Sequence, residues 1–418
     1  MSGPRQVCAA CGHETPEIDP HTRCPRCGGL LEIRHPSPTQ GGNALRATFD
    51  SRAAVRRGPL ASGVWRFIEA VLPTAGPYIL SYPEGNTPLL ASAVIARWVG
   101  AGEELLLKHE GHNPTGSFKD RGMTVGVTQA RRIGARAVAC ASTGNTAAAL
   151  AAYAALAGLR ALVVVPKGQV ASGKLAQALA YGARTLLVRG NFDDCLELVD
   201  QASDRLGVYL LNSVNPFRLE GQKTIVLELL QQLAWEPPDW IVLPAGNLGN
   251  TAAFGKALEE ARAWGLIDRV PRLAAVQAEG AAPFAQSFRE GFAQPHRVTP
   301  HTVASAINIG NPVSYSRAVR AIRDTNGVVT TVSDAEILEA KAVVDGAGIG
   351  CEPASAAAPA GARRLVREGV IRPGERVIAV LTGHLLKDPE AITRPDHGNR
   401  PVEIDARLDA VERAVTAR

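Results

Sequence analysis

What most restricts the fold of this chain is a rhythm. Nine short apolar runs recur from about residue 100 onward: "ELLLKHE", "ARAVACAS", "RALVVVP", "ARTLLVRG", "GVYLLNS", "WIVLPAG", "LAAVQAEG", "GVVTTVS" and "RVIAVLTG". Between many of them lie stretches long enough for a helix, such as "VASGKLAQALAYG". Apolar strands buried on both faces, alternating with helices, are the pattern of an α/β protein with mostly parallel sheets. In such sheets, ligands are held by the loops that follow the strands' carboxyl ends. The tract at 146–166, "TAAALAAYAALAGLRALVVVP", has the apolarity of a membrane span, but Gly158 and Arg160 interrupt it. It reads instead as a helix followed by a buried strand.

The chain has 418 residues, enough for two or three domains, and its 46% apolar and 20% charged residues fit a globular protein. A net charge of +5 with scattered arginines lacks the basic block of a nucleic-acid binder. The N-terminus "MSGPRQVCAACGHE" has no signal-type apolar core, so a cytoplasmic protein is expected.

Four of the loops stand out. "HEGHNPTGSFKDRGM" (109–123) places Lys119 in the first turn of a helix that Ser117 or Thr115 can cap. A cation is disfavoured at a helix start, which points to a chemical use for the amine. "CASTGNTAAAL" brings Ser142, Thr143, Asn145 and Thr146 to another helix N-terminus, a ready anion site. "LPAGNLGN" (243–250) offers a Gly-rich turn whose N–H groups can close around a phosphate, although it is neither a Walker loop nor a G-x-G-x-x-G. "VLTGHLLKD" sets Thr382 beside Gly383. Together they favour a phosphorylated cofactor held near an amine.

The cysteines tell a separate story. Cys8, Cys11, Cys24 and Cys27 form two C-x-x-C pairs, each followed by a glycine, and Cys140, Cys195 and Cys351 are scattered. This is no disulfide framework. Four thiolates suit tetrahedral Zn²⁺ with no position left for substrate, so residues 1–36 are expected to be a structural zinc ribbon, remote from the chemistry. His13 and His21 are competing ligands that a complete four-cysteine set does not need. Cys351 reads as a small buried thiol.

Six segments in order carry a resemblance to a known family: "EGNTPLL" (84–90), "NPTGSFKDRGM" (113–123), "STGNTAAA" (142–149), "PAGNLGN" (244–250), "EPASAA" (352–357) and "LTGHLLKDP" (381–389). The chain resembles the tryptophan-synthase-β-like (fold type II) pyridoxal-phosphate enzymes, and "SVNPFRLEGQKT" (213–224) resembles the threonine synthase branch most. The resemblance implies two α/β domains with mostly parallel sheets behind the ribbon. Residues 37–104 and 208–418 would form the large domain, and 105–207 the small domain with Lys119 and Asn145.

The resemblance also implies roles. Lys119 would form the Schiff base with pyridoxal 5'-phosphate, its amine kept neutral by burial and the helix start. Asn145 would hydrogen-bond the ring hydroxyl. Gly246, Asn247, Leu248, Gly249 and Asn250 would bind the cofactor phosphate. Thr382 would face the pyridine nitrogen, where a neutral hydroxyl suits elimination and replacement better than transamination. The implied reaction converts O-phospho-L-homoserine and water to L-threonine and phosphate, the last step of threonine biosynthesis, in a homodimer. Ser213, Asn215, Arg218, Lys223, Thr146 and Lys108 are the donors expected near the substrate phosphate, Arg218 foremost because a guanidinium binds phosphate through two bonds. Lys223 reads equally as a solvated helix residue. Ser142 and Thr143 would take the substrate carboxylate. One position departs from the pattern: Leu385 stands where the family usually has Gly, which would narrow the site or alter its closure. Rival readings are a cysteate synthase acting on O-phospho-L-serine and sulfite, a threonine or serine dehydratase, and a zinc-ribbon binding protein with an inactive enzyme body.

Overall fold

A computed structural model describes residues 3–168, 172–190, 192–391 and 401–416. Strands β1 (Arg5–Cys8), β2 (Glu14–Pro16) and β3 (Leu31–Arg34) make a small antiparallel sheet in the order β2-β1-β3. The others follow as β4 (Leu89–Ala91), β5 (Leu105–His109), β6 (Ala137–Ala141), β7 (Arg160–Pro166), β8 (Arg184–Val188), β9 (Val208–Leu210), β10 (Trp240–Pro244), β11 (Arg272–Ala278), β12 (Val328–Val332) and β13 (Val377–Leu381). All nine apolar runs are strands.

They form two sheets. The larger runs β12-β11-β10-β13-β5-β4 and the smaller β8-β7-β6-β9. Every pairing is parallel except the edge pair β4–β5. Helices cover both faces of each sheet, and apolar clusters fill both sides of the larger one and of the smaller one. Strands β6, β10 and β13 are buried along their whole length, which is why they lack the alternation of a half-exposed strand. The domain boundaries differ from expectation at both ends of the small domain. Strand β5 pairs with β13 in the large sheet, and β9 pairs with β6 in the small one.

The strand orders fix where ligands can sit. In the large sheet, order reverses between β10 and β13; in the small sheet, it reverses between β6 and β9. Loops at such a switch point diverge and leave a crevice. Asn212, just beyond β9, donates to Ala141 O at 3.0 Å and accepts from Ala141 N at 2.9 Å, which ties together the two loops of the small sheet's switch point. Asn247, just beyond β10, donates to Ser213 Oγ at 3.2 Å, which joins that switch point to the other.

The N-terminal sheet docks on the enzyme body. Arg317 donates to Leu31 O, Lys256 donates to Ile33 O at 2.5 Å, and Arg320 meets Glu32 at 2.8 Å. His35 Nε2 lies 2.6 Å from Glu220 Oε2, in the short Pro216–Gln222 helix. Among the described residues no helix is long and apolar enough to cross a membrane.

Candidate active site

Lys119 opens the Lys119–Arg132 helix, whose N-terminal residue Phe118 supplies no capping side chain. Of the two expected caps, Ser117 Oγ accepts only a long 3.4 Å bond from Lys119 N. Thr115 is held by Asp120, through its hydroxyl at 2.5 Å and its N–H at 2.6 Å. The loop is stitched to the one after β13. Ser117 pairs with Gly383, Phe118 N donates to Thr382 O at 3.0 Å, and His384 N donates to Gly116 O at 2.9 Å. The amine of Lys119 stands 3.8 Å from the Phe118 ring centroid, and among the described residues it has no hydrogen-bond partner. Burial, with the Arg218 charge adding to it and Glu352 opposing, brings its pKa down to about 7. A neutral amine near pH 7 is the form a nucleophile and base needs.

Arg218 comes close because two helices touch. A Cβ on Gly221 would lie 1.8 Å from Arg121 O, so the Pro216–Gln222 helix can cross the Lys119 helix here only with glycine at that position. The Arg218 side chain is buried, its Nη1 donates to Leu211 O at 3.0 Å, and its Nε has no partner. No carboxylate pairs with it among the described residues. Burial brings its pKa down to about 10, so it still carries a charge that an anion can use. A guanidinium left this way is suited to a phosphate.

Asn145 opens the Asn145–Ala157 helix, and Gly144 before it supplies no capping side chain. Ser142, Thr143 and Thr146 are half-buried around this uncapped end. Asn145 Nδ2 donates to Glu352 at 3.0 Å, and the Thr382 hydroxyl lies 2.9 Å from Ser355 Oγ.

The residues at 246–250 fit a phosphate ester. They lie between β10 and the Gly249–Ala263 helix, whose first turn also lacks a capping side chain. A Cβ on Gly246 would lie 2.9 Å from Ile307 Cα, so only glycine allows this approach. Leu248 takes a left-handed φ of 62°. Around the loop, the buried hydroxyls of Thr251 and Ser314 have no protein partner. Helix N–H groups and unpartnered hydroxyl donors together make the setting a phosphate needs.

Three expected substrate donors are corrected. Lys108 is fully buried, with its amine on Glu228 at 2.6 Å, Gln232 at 2.8 Å and Thr87 O at 2.8 Å. Lys223 is neither solvated nor free; it pairs with Glu220 at 2.6 Å and Glu260 at 2.5 Å. Asn215 caps its helix, accepting from Phe217 N at 3.0 Å, and spends its amide on Leu210 O at 2.9 Å. All three stabilise the scaffold that carries Arg218 and Thr87. The "EGNTPLL" segment has the same use: Asn86 N and Thr87 N donate to Glu228, which also receives Arg121 and Arg66. Leu385 packs on Gly350, 2.4 Å from where a Cβ there would be. Cys351 is buried, and burial pushes its thiol well above the usual range. Sequence reasoning singled out "EPASAA" but gave Glu352 and Ser355 no role, and it passed over Asn212. Glu352 stands directly before the Pro that opens the Pro353–Arg367 helix.

The thiols of Cys8, Cys11, Cys24 and Cys27 lie within 4.8 Å of one another. Three of the separations are 3.4–3.7 Å, close to the edge of a tetrahedron with Zn–S bonds of about 2.3 Å. Gly12 and Gly28 take φ of 70° and 71°, turning the knuckles as their place after each pair implied. The set can hold a metal.

Comparison with known proteins agrees with this geometry. A profile described as pyridoxal-phosphate dependent enzyme matches residues 80–383. The threonine synthase of Methanocaldococcus jannaschii is 44% identical over 411 residues, covering 98% of each chain. That of Synechocystis sp. is 46% identical over 338 residues, covering 81% of this chain and 86% of the relative. The solved structure of threonine synthase from Escherichia coli superposes with a TM-score of 0.71 at 20% identity, over 98% of this chain and 94% of that one, which supports the fold. On this kinship the chain belongs to the threonine synthases of the pyridoxal-phosphate-dependent enzyme family.

Proposed function

We propose that the protein is a carbon–oxygen lyase that converts O-phospho-L-homoserine and water to L-threonine and phosphate. The observation that carries this reading is the buried, carboxylate-free guanidinium of Arg218 within electrostatic reach of the Lys119 amine. A dehydratase has no substrate phosphate to hold and no use for such a group. Residues 246–250, with Asn145, Thr382 and Lys119, would hold the cofactor. When bound, pyridoxal phosphate would serve as an electron sink that acidifies the substrate's Cα proton and, after it, the Cβ protons. Lys119 moves the protons at Cα, Cβ and Cγ, a task suited to an amine whose pKa is about 7. Arg218, with Ser213 and Thr146, binds the phosphate leaving Cγ, and Ser142 and Thr143 orient the carboxylate. The four cysteines hold a structural Zn²⁺, and the protein works as a cytoplasmic homodimer.

The test is product analysis. Phosphohomoserine in water, with no added nucleophile, should yield threonine and phosphate in equal amounts. Arg218→Ala should lower kcat/KM by roughly 30-fold to several-thousand-fold, because removing a charge-assisted hydrogen bond from a buried site costs about 2–5 kcal/mol. Cofactor affinity should survive that change. Phosphate released only from phosphoserine, and only with sulfite present, would make the enzyme a cysteate synthase instead.

A further inference from the structure

Glu352 has no role in the reading above, yet its carboxylate lies at the centre of the site. It extends from the residue before the Pro353–Arg367 helix and is buried. One oxygen receives Asn145 Nδ2 at 3.0 Å; the other lies 3.3 Å from the same nitrogen and 3.5 Å from Thr382 Oγ1. The backbone holds Glu352 firmly, because its N–H donates to Gly383 O at 3.1 Å. Ser355, one turn on, donates to Gly383 O at 3.4 Å and accepts from Gly383 N at 2.9 Å. Asn145 is on the small sheet's side of the crevice and Thr382 on the large sheet's side, 207 and 30 residues from Glu352 in sequence.

A carboxamide has two ends of similar shape and opposite hydrogen-bonding sense. To serve a ring oxygen, Asn145 must present N–H and not C=O. Burial pushes the Glu352 carboxyl up, against the Asn145 hydrogen bond and the Lys387 and Lys119 charges; when ionised it only accepts, so it takes one N–H of Nδ2 and excludes the flipped amide. The second N–H of the same nitrogen then points elsewhere. From this geometry we infer that Glu352 is a positioning residue: it locks the Asn145 carboxamide in the rotamer whose remaining N–H serves the cofactor's ring oxygen. The inference rests on the reading of Asn145 given above.

Two substitutions break the lock in different ways. Glu352→Asp keeps the charge but is one methylene shorter, so it cannot reach Nδ2, and it remains compatible with a helix start. Glu352→Gln keeps the reach, but its carboxamide donates as well as accepts and so pairs equally with the flipped Asn145 amide. The readouts are the affinity of the cofactor-free protein for pyridoxal phosphate and the visible absorbance of the bound cofactor. Each substitution should weaken binding about three- to tenfold, the scale of one hydrogen bond, and shift the band as Asn145→Ala does. In an Asn145→Ala background, neither should add anything further, since the group it orients is gone. An unchanged affinity and band in Glu352→Gln would overturn the inference, as would additivity of either substitution with Asn145→Ala. If Asn145→Ala itself leaves affinity and band unchanged, the reading of Asn145 fails first, and the inference falls with it.

Discussion

A lysine without a carboxylate partner, buried beside a guanidinium, gives up its proton far more readily than one in water. For Lys119 that has a measurable consequence before any turnover. The neutral amine, which alone attacks a carbonyl, should dominate above about pH 7. The rate at which the cofactor-free protein takes up pyridoxal phosphate should therefore climb as pH rises through about 7 and then level off. A rate still climbing toward pH 10 would show an ordinary lysine. Lys119→Ala should abolish turnover and leave no pyridoxyl group on the protein after borohydride reduction. Lys108 should behave in the opposite way. Removing one partner of a buried pair costs about 3–5 kcal/mol, less where the remaining charge keeps other partners. Glu228 keeps Arg121 and Arg66. Lys108→Met should lower unfolding stability by roughly 2–3 kcal/mol and leave KM for the phosphorylated substrate nearly unchanged. These roles were unequally legible. Lys119 announced itself by sitting where a cation is disfavoured. Lys108 finds Glu228 120 residues away, and Lys223 meets Glu260 37 residues away; nothing in a local pattern records these pairings, although Glu220, three residues before Lys223, was in view as its other partner.

The apolar strands were legible because burial on both faces leaves no room for polar alternation, and the loops that follow them inherit their positions from the sheet. Strand β4 was missed: it is three residues long and lies at an edge, with its residues only partly buried. The ribbon is a module, as its cysteine spacing implies, and its docking face reaches the enzyme body. β3 and His35 lean on the same short helix that carries Arg218. Deleting residues 1–36 should lower Tm and raise KM for phosphohomoserine by roughly fivefold, equivalent to about 1 kcal/mol of lost positioning. Affinity for pyridoxal phosphate should fall too, since Lys256, which donates to Ile33 O, lies on the helix that residues 246–250 lead into. An unchanged KM would reduce the ribbon to a stabilising appendage. Stripping the metal with a chelator should have a similar effect in a milder form, because His35 remains in place, and metal analysis should find one zinc per chain beforehand.

At the scale of the molecule, the crevice is lined by two bodies that share few covalent crossings. The cofactor would touch both, through Asn145 on one side and residues 246–250 and Thr382 on the other. Its binding is therefore also cross-linking. A hundredfold excess over Kd stabilises a protein by about 2.7 kcal/mol, so removing the cofactor should lower Tm and do so for both sheets together. Hydrogen exchange at the ends of β6 and β10 should report that loss side by side. Protection lost on one sheet alone would mean that the cofactor bridges nothing.

The backbone stitching of 116–118 to 382–384 has a further effect. It makes the amine and the Thr382 hydroxyl parts of a single jig at the end of the large sheet. The helix that Lys119 opens runs the other way, packing Met123, Val127 and Ala130 into the core of the small sheet. Lys119 therefore stands where the two bodies are fastened to each other. Any breathing of the crevice would turn about that point: the leaves of a hinge swing, and the pin through both of them keeps its place.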